Sequence, residues 1–133
     1  MPAFAKHLQW PALGLVVWLA SAPITALAQS AARGQTLFES RCVACHSLDE
    51  NRVGPALRTV FGRKAGTAPD YDYSPALAAA THRWNRRLLL AWLTDPEDVV
   101  PGQRMGYRVE DPKDREDVVA FLTANAAKGA RKP

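Results

Sequence analysis

The chain has 133 residues, 17 Lys plus Arg against 13 Asp plus Glu, a formal net charge of +4 and only two cysteines. That length suits one domain once any leader is set aside. The positive charge is scattered, with no basic run and no basic patch interleaved with aromatics, so nucleic-acid binding finds no support.

The first segment reads as a secretory signal peptide over residues 1–28. Lys6 and His7 form a positive n-region, Leu13 to Ala20 an apolar core, and Ala26-Leu27-Ala28 a small-x-small cleavage site before Gln29. Ser21, Pro23 and Thr25 interrupt the apolar run before it reaches the roughly 20 residues of a spanning helix, which argues for cleavage over a retained anchor. No later segment is apolar enough to cross a bilayer, so no stable membrane insertion is expected after cleavage. The mature domain is then 29–133, and the leader implies export across the inner membrane to the periplasm.

The first helix is predicted from Ala31 to Arg41, with Gly34, Leu37 and Phe38 on one face. It delivers the chain into Cys42-Val43-Ala44-Cys45-His46, a CxxCH run holding both cysteines. Two thiols at this spacing can each add across a vinyl group of haem, and the histidine that follows is placed to put a ring nitrogen on the iron. A thioredoxin-like redox pair would need a surrounding βαβ pattern, which is not visible. A structural zinc site wants four ligands, and the other histidines are His7, in the leader, and His82. The motif therefore predicts one haem c, bound covalently through Cys42 and Cys45, with His46 on the iron.

Ser74-Pro75 is an N-cap followed by proline at the first helical position, opening a short helix through Ala76 to Ala80. Another helix covers about Asn85 to Thr94, with Leu88, Leu89, Trp92 and Leu93 as its apolar face and Asp95-Pro96 as its stop. The last is opened by Asp111-Pro112 and shows Val118, Phe121 and Leu122 at helical spacing. The segments between are Gly- and Pro-rich loops without strand alternation. The expectation is an all-α fold of four or so short helices and loops wrapped around the haem.

A second axial ligand must come from elsewhere in the chain. Apart from the initiator there is one methionine, Met105, in the loop Pro101-Gly102-Gln103-Arg104-Met105, where packing alone gives little reason for it. A thioether is a soft neutral ligand, and a His/Met pair raises the reduction potential relative to two imidazoles. His82 is the alternative, either as a ligand or as an ordinary surface histidine beside Arg83.

With these motifs in place the chain resembles the class I c-type cytochromes, mitochondrial cytochrome c and its soluble bacterial relatives. The resemblance runs through Gly34 with Phe38, the CxxCH run, Gly54-Pro55-Ala56-Leu57, Phe61-Gly62-Arg63-Lys64, Tyr73, Trp84, Pro96, Pro101-Gly102 with Met105, and Arg115-Glu116-Asp117 leading to Phe121-Leu122. It implies that the Pro55 carbonyl accepts a hydrogen bond from His46, and that Arg63, Tyr73 and Trp84 hold a buried haem propionate. It implies also that Gly34 lets the first helix cross closely over the last. Three positions depart from the family pattern. Trp92 stands where many relatives place a tyrosine near the methionine sulfur, Leu77 replaces an asparagine beside a buried water, and Gln103 replaces a threonine in the methionine loop.

The implied activity is single-electron transfer between membrane-bound or soluble redox partner proteins by a monomeric, non-enzymatic carrier of a respiratory or photosynthetic chain. A peroxidase-like haem enzyme or a gas sensor would need an open iron site, and a peroxidase would also need distal acid–base residues. A dedicated haem subunit of one oxidoreductase complex shares the same sequence signature as a freely diffusing carrier.

Overall fold

The structure, a computed structural model, describes residues 25–130, with side chains from residue 30 onward. The expected leader lies outside the described residues up to position 24. Five helices follow in order: α1 Thr25–Arg41, α2 Pro75–Ala78, α3 Arg86–Thr94, α4 Pro96–Val99 and α5 Pro112–Gly129. Among the described residues no β-strand forms, and no helix is long and apolar enough to cross a membrane.

From α2 onward each helix start is written in a polar capping side chain. The Ser74 side chain accepts from Leu77 N, Asn85 from Leu88 N, and Asp111 from the amides of Lys113 and Asp114. Asp95-Pro96 does more than stop α3. The Asp95 side chain accepts from Glu97 N and Pro96 takes the first helical position, so the same dipeptide starts α4. This is why five helices form where four were expected. α2, by contrast, ends at Ala78, short of the expected Ala80.

The α1–α5 crossing is the main helix contact. A Cβ on Gly34 would lie 1.9 Å from the Asp117 carbonyl oxygen, so only glycine lets the two backbones touch. Beside that crossing the Phe38 and Phe121 rings pack with centroids 5.3 Å apart. Arg33 of α1 reaches Asp114 and Asp117 of α5, both at 2.5 Å, and Arg41 reaches Asp114 at 2.8 Å. The two aspartate side chains are 6% and 2% exposed, so these pairs sit at the edge of the core rather than in open solvent. α3 packs against α5 and α4, bringing Leu89, Trp92 and Leu93 into the core with Val118, Val119 and Leu122.

One short antiparallel ribbon stands outside the helices. Lys64 and Arg83 form its bridge, flanked by Gly62 N to Trp84 O at 2.8 Å, Trp84 N to Arg63 O at 2.9 Å, and Ala65 N to His82 O at 2.9 Å. Side chains alternate across such a ribbon, so Arg63, Ala65, His82 and Trp84 share its inner face while Lys64 and Arg83 point out.

Candidate haem site

The end of α1 sets the geometry of the CxxCH run. Cys42 N bonds Phe38 O at 2.9 Å, and both Cys45 N and His46 N bond back to Cys42 O, at 3.1 and 2.8 Å. These bonds close the chain into a tight turn, so that Cys42, Cys45 and His46 line one cavity. Both thiols are free; burial pushes that of Cys42 up to about 11, while Cys45 is exposed.

His46 is oriented from behind. Its Nδ1 donates to Pro55 O at 2.8 Å, and since a carbonyl only accepts, the proton is on Nδ1 and the lone pair is on Nε2. Burial lowers the pKa of the ring, with the Pro55 bond opposing it, so the net effect favours the neutral form that binds metals. Gly54 makes room for the ring: a Cβ there would lie 2.2 Å from His46 Cε1.

Met105 lines the same cavity from the loop after α4. Trp92 Nε1 donates to its sulfur at 3.0 Å. The loop itself is tied by Glu97, whose carboxylate accepts from Gly102 N at 2.8 Å and from Gln103 Nε2 at 3.2 Å. Gln103 in turn accepts from Met105 N through its own side-chain oxygen. The sequence reading assigned no role to Glu97. A carboxylate at the start of a one-turn helix, four residues before a Pro-Gly loop, was the available signal.

The cavity has a volume of about 770 Å³, within the usual range for a small-molecule site. A second, largely apolar space of about 90 Å³ adjoins it and shares Cys42, His46, Tyr73, Leu77, Trp92, Leu93 and Met105 as walls. Pro55, Arg63 and Trp84 line this inner part. Arg63 donates to Ala56 O at 3.0 Å and to Thr59 Oγ1 at 3.2 Å, yet its Nε is buried without a partner. Burial lowers the pKa of the guanidinium, and nearby Tyr73 works against that. The Tyr73 hydroxyl accepts from Ala68 N at 3.1 Å, and Trp84 meets Trp92 edge-on with centroids 5.1 Å apart. His82 lines neither space; it is half-buried and stacks edge-on against Trp84 at 4.7 Å. The expectation of an ordinary surface histidine is corrected, because the ribbon turns the His82 ring inward.

The residues present fit a haem. Two thiols and a metal-ready imidazole stand on one wall and a thioether on another, around a largely apolar space. The unpartnered Arg63 Nε supplies a cation for a buried carboxylate. At the mouth stand Arg41, Arg52, Arg104, Asp70 and Asp72, and Val43, Val53 and Tyr107 nearby are the large apolar side chains left exposed among the described residues. Fold and site together define a small helical domain that cradles a redox prosthetic group.

The comparisons with known proteins lead to the same place. The sequence model of the cytochrome c family matches residues 31–125. The chain is 38% identical over 96 residues to a cytochrome c of Cochliobolus lunatus, covering 69% of this chain and 89% of the relative. It is 36% identical over 111 residues to a cytochrome c2 of Rhodopseudomonas palustris, covering 71% and 96%. Among solved structures, cytochrome cH from Methylobacterium extorquens superposes with a TM-score of 0.67 at 41% identity, over 71% of this chain and 97% of that one. The chain belongs to the cytochrome c family, as a class I c-type cytochrome with the small all-α fold of that class. It is a haem electron carrier of that family.

Proposed function

We propose that this protein is a monomeric, single-haem electron carrier of a periplasmic chain, with the iron held by His46 and Met105 and the haem bound through Cys42 and Cys45. One observation carries the reading: the neutral His46 imidazole, fixed through Pro55, and the Met105 sulfur, fixed through Trp92, line one cavity with both thiols. The leader 1–28 would be removed on export, leaving 29–133 as the working domain.

When bound, the haem supplies a one-electron ferric/ferrous couple. The protein's residues do the rest. His46 and Met105 would both hold the iron in its two oxidation states, which would leave no open site for peroxidase or gas-binding chemistry. Arg63, Tyr73 and Trp84 would hold an inner propionate, whose charge is tolerable in a dry pocket only when paired and hydrogen-bonded. Leu77 and Trp92 keep water from the inner wall, so the surroundings change little as the charge changes.

Met105→Ala tests the ligand assignment. The ferric absorption band of a methionine–iron bond should disappear, the potential should fall, and cyanide should bind more tightly. Colour should stay on the polypeptide after acid–acetone extraction, because the thioethers remain. Retention of the methionine band in Met105→Ala would remove Met105 from the iron, and colour in the organic phase would remove the thioethers.

A further inference from the structure

Two side-chain nitrogens are buried without any hydrogen-bond partner among the described residues, Arg63 Nε and His82 Nε2. Both belong to the inner face of the ribbon formed by residues 62–65 and 82–84, on either side of Trp84 in its pattern. Trp84 is hydrogen-bonded to Arg63 through the backbone, at 2.9 Å, and its ring carries the His82 ring on its edge at 4.7 Å. Arg63 Nε is explained by the carboxylate the site is built to take. His82 Nε2 is explained by nothing in the electron-transfer site.

A neutral imidazole tolerates this seat, because one of its nitrogens needs no proton. An imidazolium does not, since its second N–H would be enclosed with no acceptor. The charged groups around the ring offer no relief. Arg63 shares the inner face, Lys64 and Arg83 stand on the outer face, and Arg86 and Arg87 open α3 in exposed positions. All five are cations. The neighbouring α2, against whose Leu77 carbonyl Gly66 packs, carries only Pro, Ala and Leu. Among the described residues no carboxylate bonds His82. Burial accordingly lowers the pKa of the ring below the ordinary histidine value.

The balance at His82 is therefore set by whatever negative charge reaches the ribbon through Trp84 and Arg63. An electron added to a haem in the pocket that Trp84 lines would make the interior more negative and favour a cation on the ribbon. We propose that His82 takes up a proton from solvent when the carrier accepts an electron from its partner, and releases it on oxidation, so that the reduction potential depends on pH. His82 as a whole keeps intermediate exposure, so solvent reaches its ring although Nε2 itself is covered. By linkage, if reduction raises the proton affinity of His82, protonation of His82 raises the potential. The potential is then highest below the ferric-state pKa, falls as pH rises between the ferric and ferrous pKa values, and is flat above both. A tenfold difference in proton affinity between the two states corresponds to about 59 mV for a one-electron couple. The proposal rests on the reading of the chain as a haem carrier with Arg63 and Trp84 at its inner carboxylate.

The test uses mature holoprotein. His46 is on the iron in that reading and His7 belongs to the leader, which leaves His82 as the titrating imidazole. Its ring proton resonances are followed by NMR from about pH 5 to 8, in the ferrous and the ferric state, and the midpoint potential is measured over the same range. The expected result is a midpoint at higher pH in the ferrous state, with a potential that falls across that interval. His82→Gln should give a flat potential with its absorption spectrum intact. Identical His82 titrations in the two states would overturn the proposal. So would a pH-dependent potential that survives in His82→Gln, which would pass the role to the propionates. Should that variant not fold, the NMR titrations of the native protein decide alone. A protein without a reversible one-electron couple would instead refute the carrier reading itself.

Discussion

The indole N–H of Trp92 points at the sulfur of Met105, with 3.0 Å between Nε1 and Sδ. A thioether sulfur has two lone pairs, and this bond engages one of them while leaving the other for a metal. The hydrogen bond draws electron density from the sulfur and makes it a weaker donor, which favours the ferrous state. Trp92→Phe keeps an aromatic ring against Trp84 and removes the donor along with part of the ring volume. Its potential should be lower than that of the parent by voltammetry, with the haem retained. An unchanged or higher potential would show that the bond does not tune the sulfur.

Gly34→Ala should destabilise the fold without touching the site. The new Cβ would meet the Asp117 carbonyl oxygen at 1.9 Å and Phe121 Cβ at 2.9 Å, and neither backbone nor Cβ can swing aside. Overpacking of this kind costs about 1–3 kcal/mol, to be read as a lower denaturant midpoint at constant m-value. A parent-like midpoint would mean that α1 and α5 separate freely.

The α1–α5 ion pairs set the response to acid. Burial pushes the Asp114 and Asp117 carboxyls up, but Arg33, with Arg41 at Asp114 and Lys113 at Asp117, outweighs it and holds both below the usual carboxylate range. A carboxyl with a depressed folded-state pKa contributes stability above its unfolded pKa, and that stability is lost as pH falls through the folded value. Arg33→Met should therefore move acid unfolding, followed by circular dichroism, to higher pH. An acid midpoint equal to the parent's would show that Arg41 and Lys113 suffice.

The rim of the cavity predicts only modest salt dependence in the reaction with a strongly acidic oxidase. Arg41 is committed to Asp114 at 2.8 Å, and Arg104 lies 3.7 Å from Asp72. Arg52 donates to Val43 O at 2.8 Å, a bond that leaves its charge uncompensated. A mixed ring steers partners weakly, and exposed charges are screened over about 8 Å at physiological ionic strength. Arg52→Glu should slow electron transfer with the native partner in stopped-flow mixing more than Lys64→Glu, which lies on the outer face of the ribbon. Equal slowing by the two would move the docking face away from the cavity mouth.

Much of this site is local in the chain and so was legible there. Cys42, Cys45 and His46 are contiguous, Met105 has no competitor outside the initiator, and helix caps are short-range bonds between neighbours such as Ser74 and Leu77. Asp95-Pro96 shows the limit of local reading, since the same dipeptide ends one helix and begins another. The assignment of Arg63, Tyr73 and Trp84 came from resemblance, as did the close crossing at Gly34, for which the contact with Asp117 supplies the physical cause.

What only the tertiary structure decided are relations between residues far apart in sequence or turned by the backbone. The resemblance placed Trp92 near the Met105 sulfur, and the fold decided that the indole N–H aims at it. The sequence did not show that Glu97 would fasten the methionine loop, or that Arg33 would bind two aspartates more than 80 positions away. His82 looked like a surface residue beside an arginine, and one antiparallel bridge between Lys64 and Arg83 turned its ring inward onto Trp84. Composition and spacing determine which chemistry a chain carries because ligands and caps act through short-range bonds. Burial and hydrogen-bond direction depend on which surfaces meet, and that is fixed only when the chain has closed around its core.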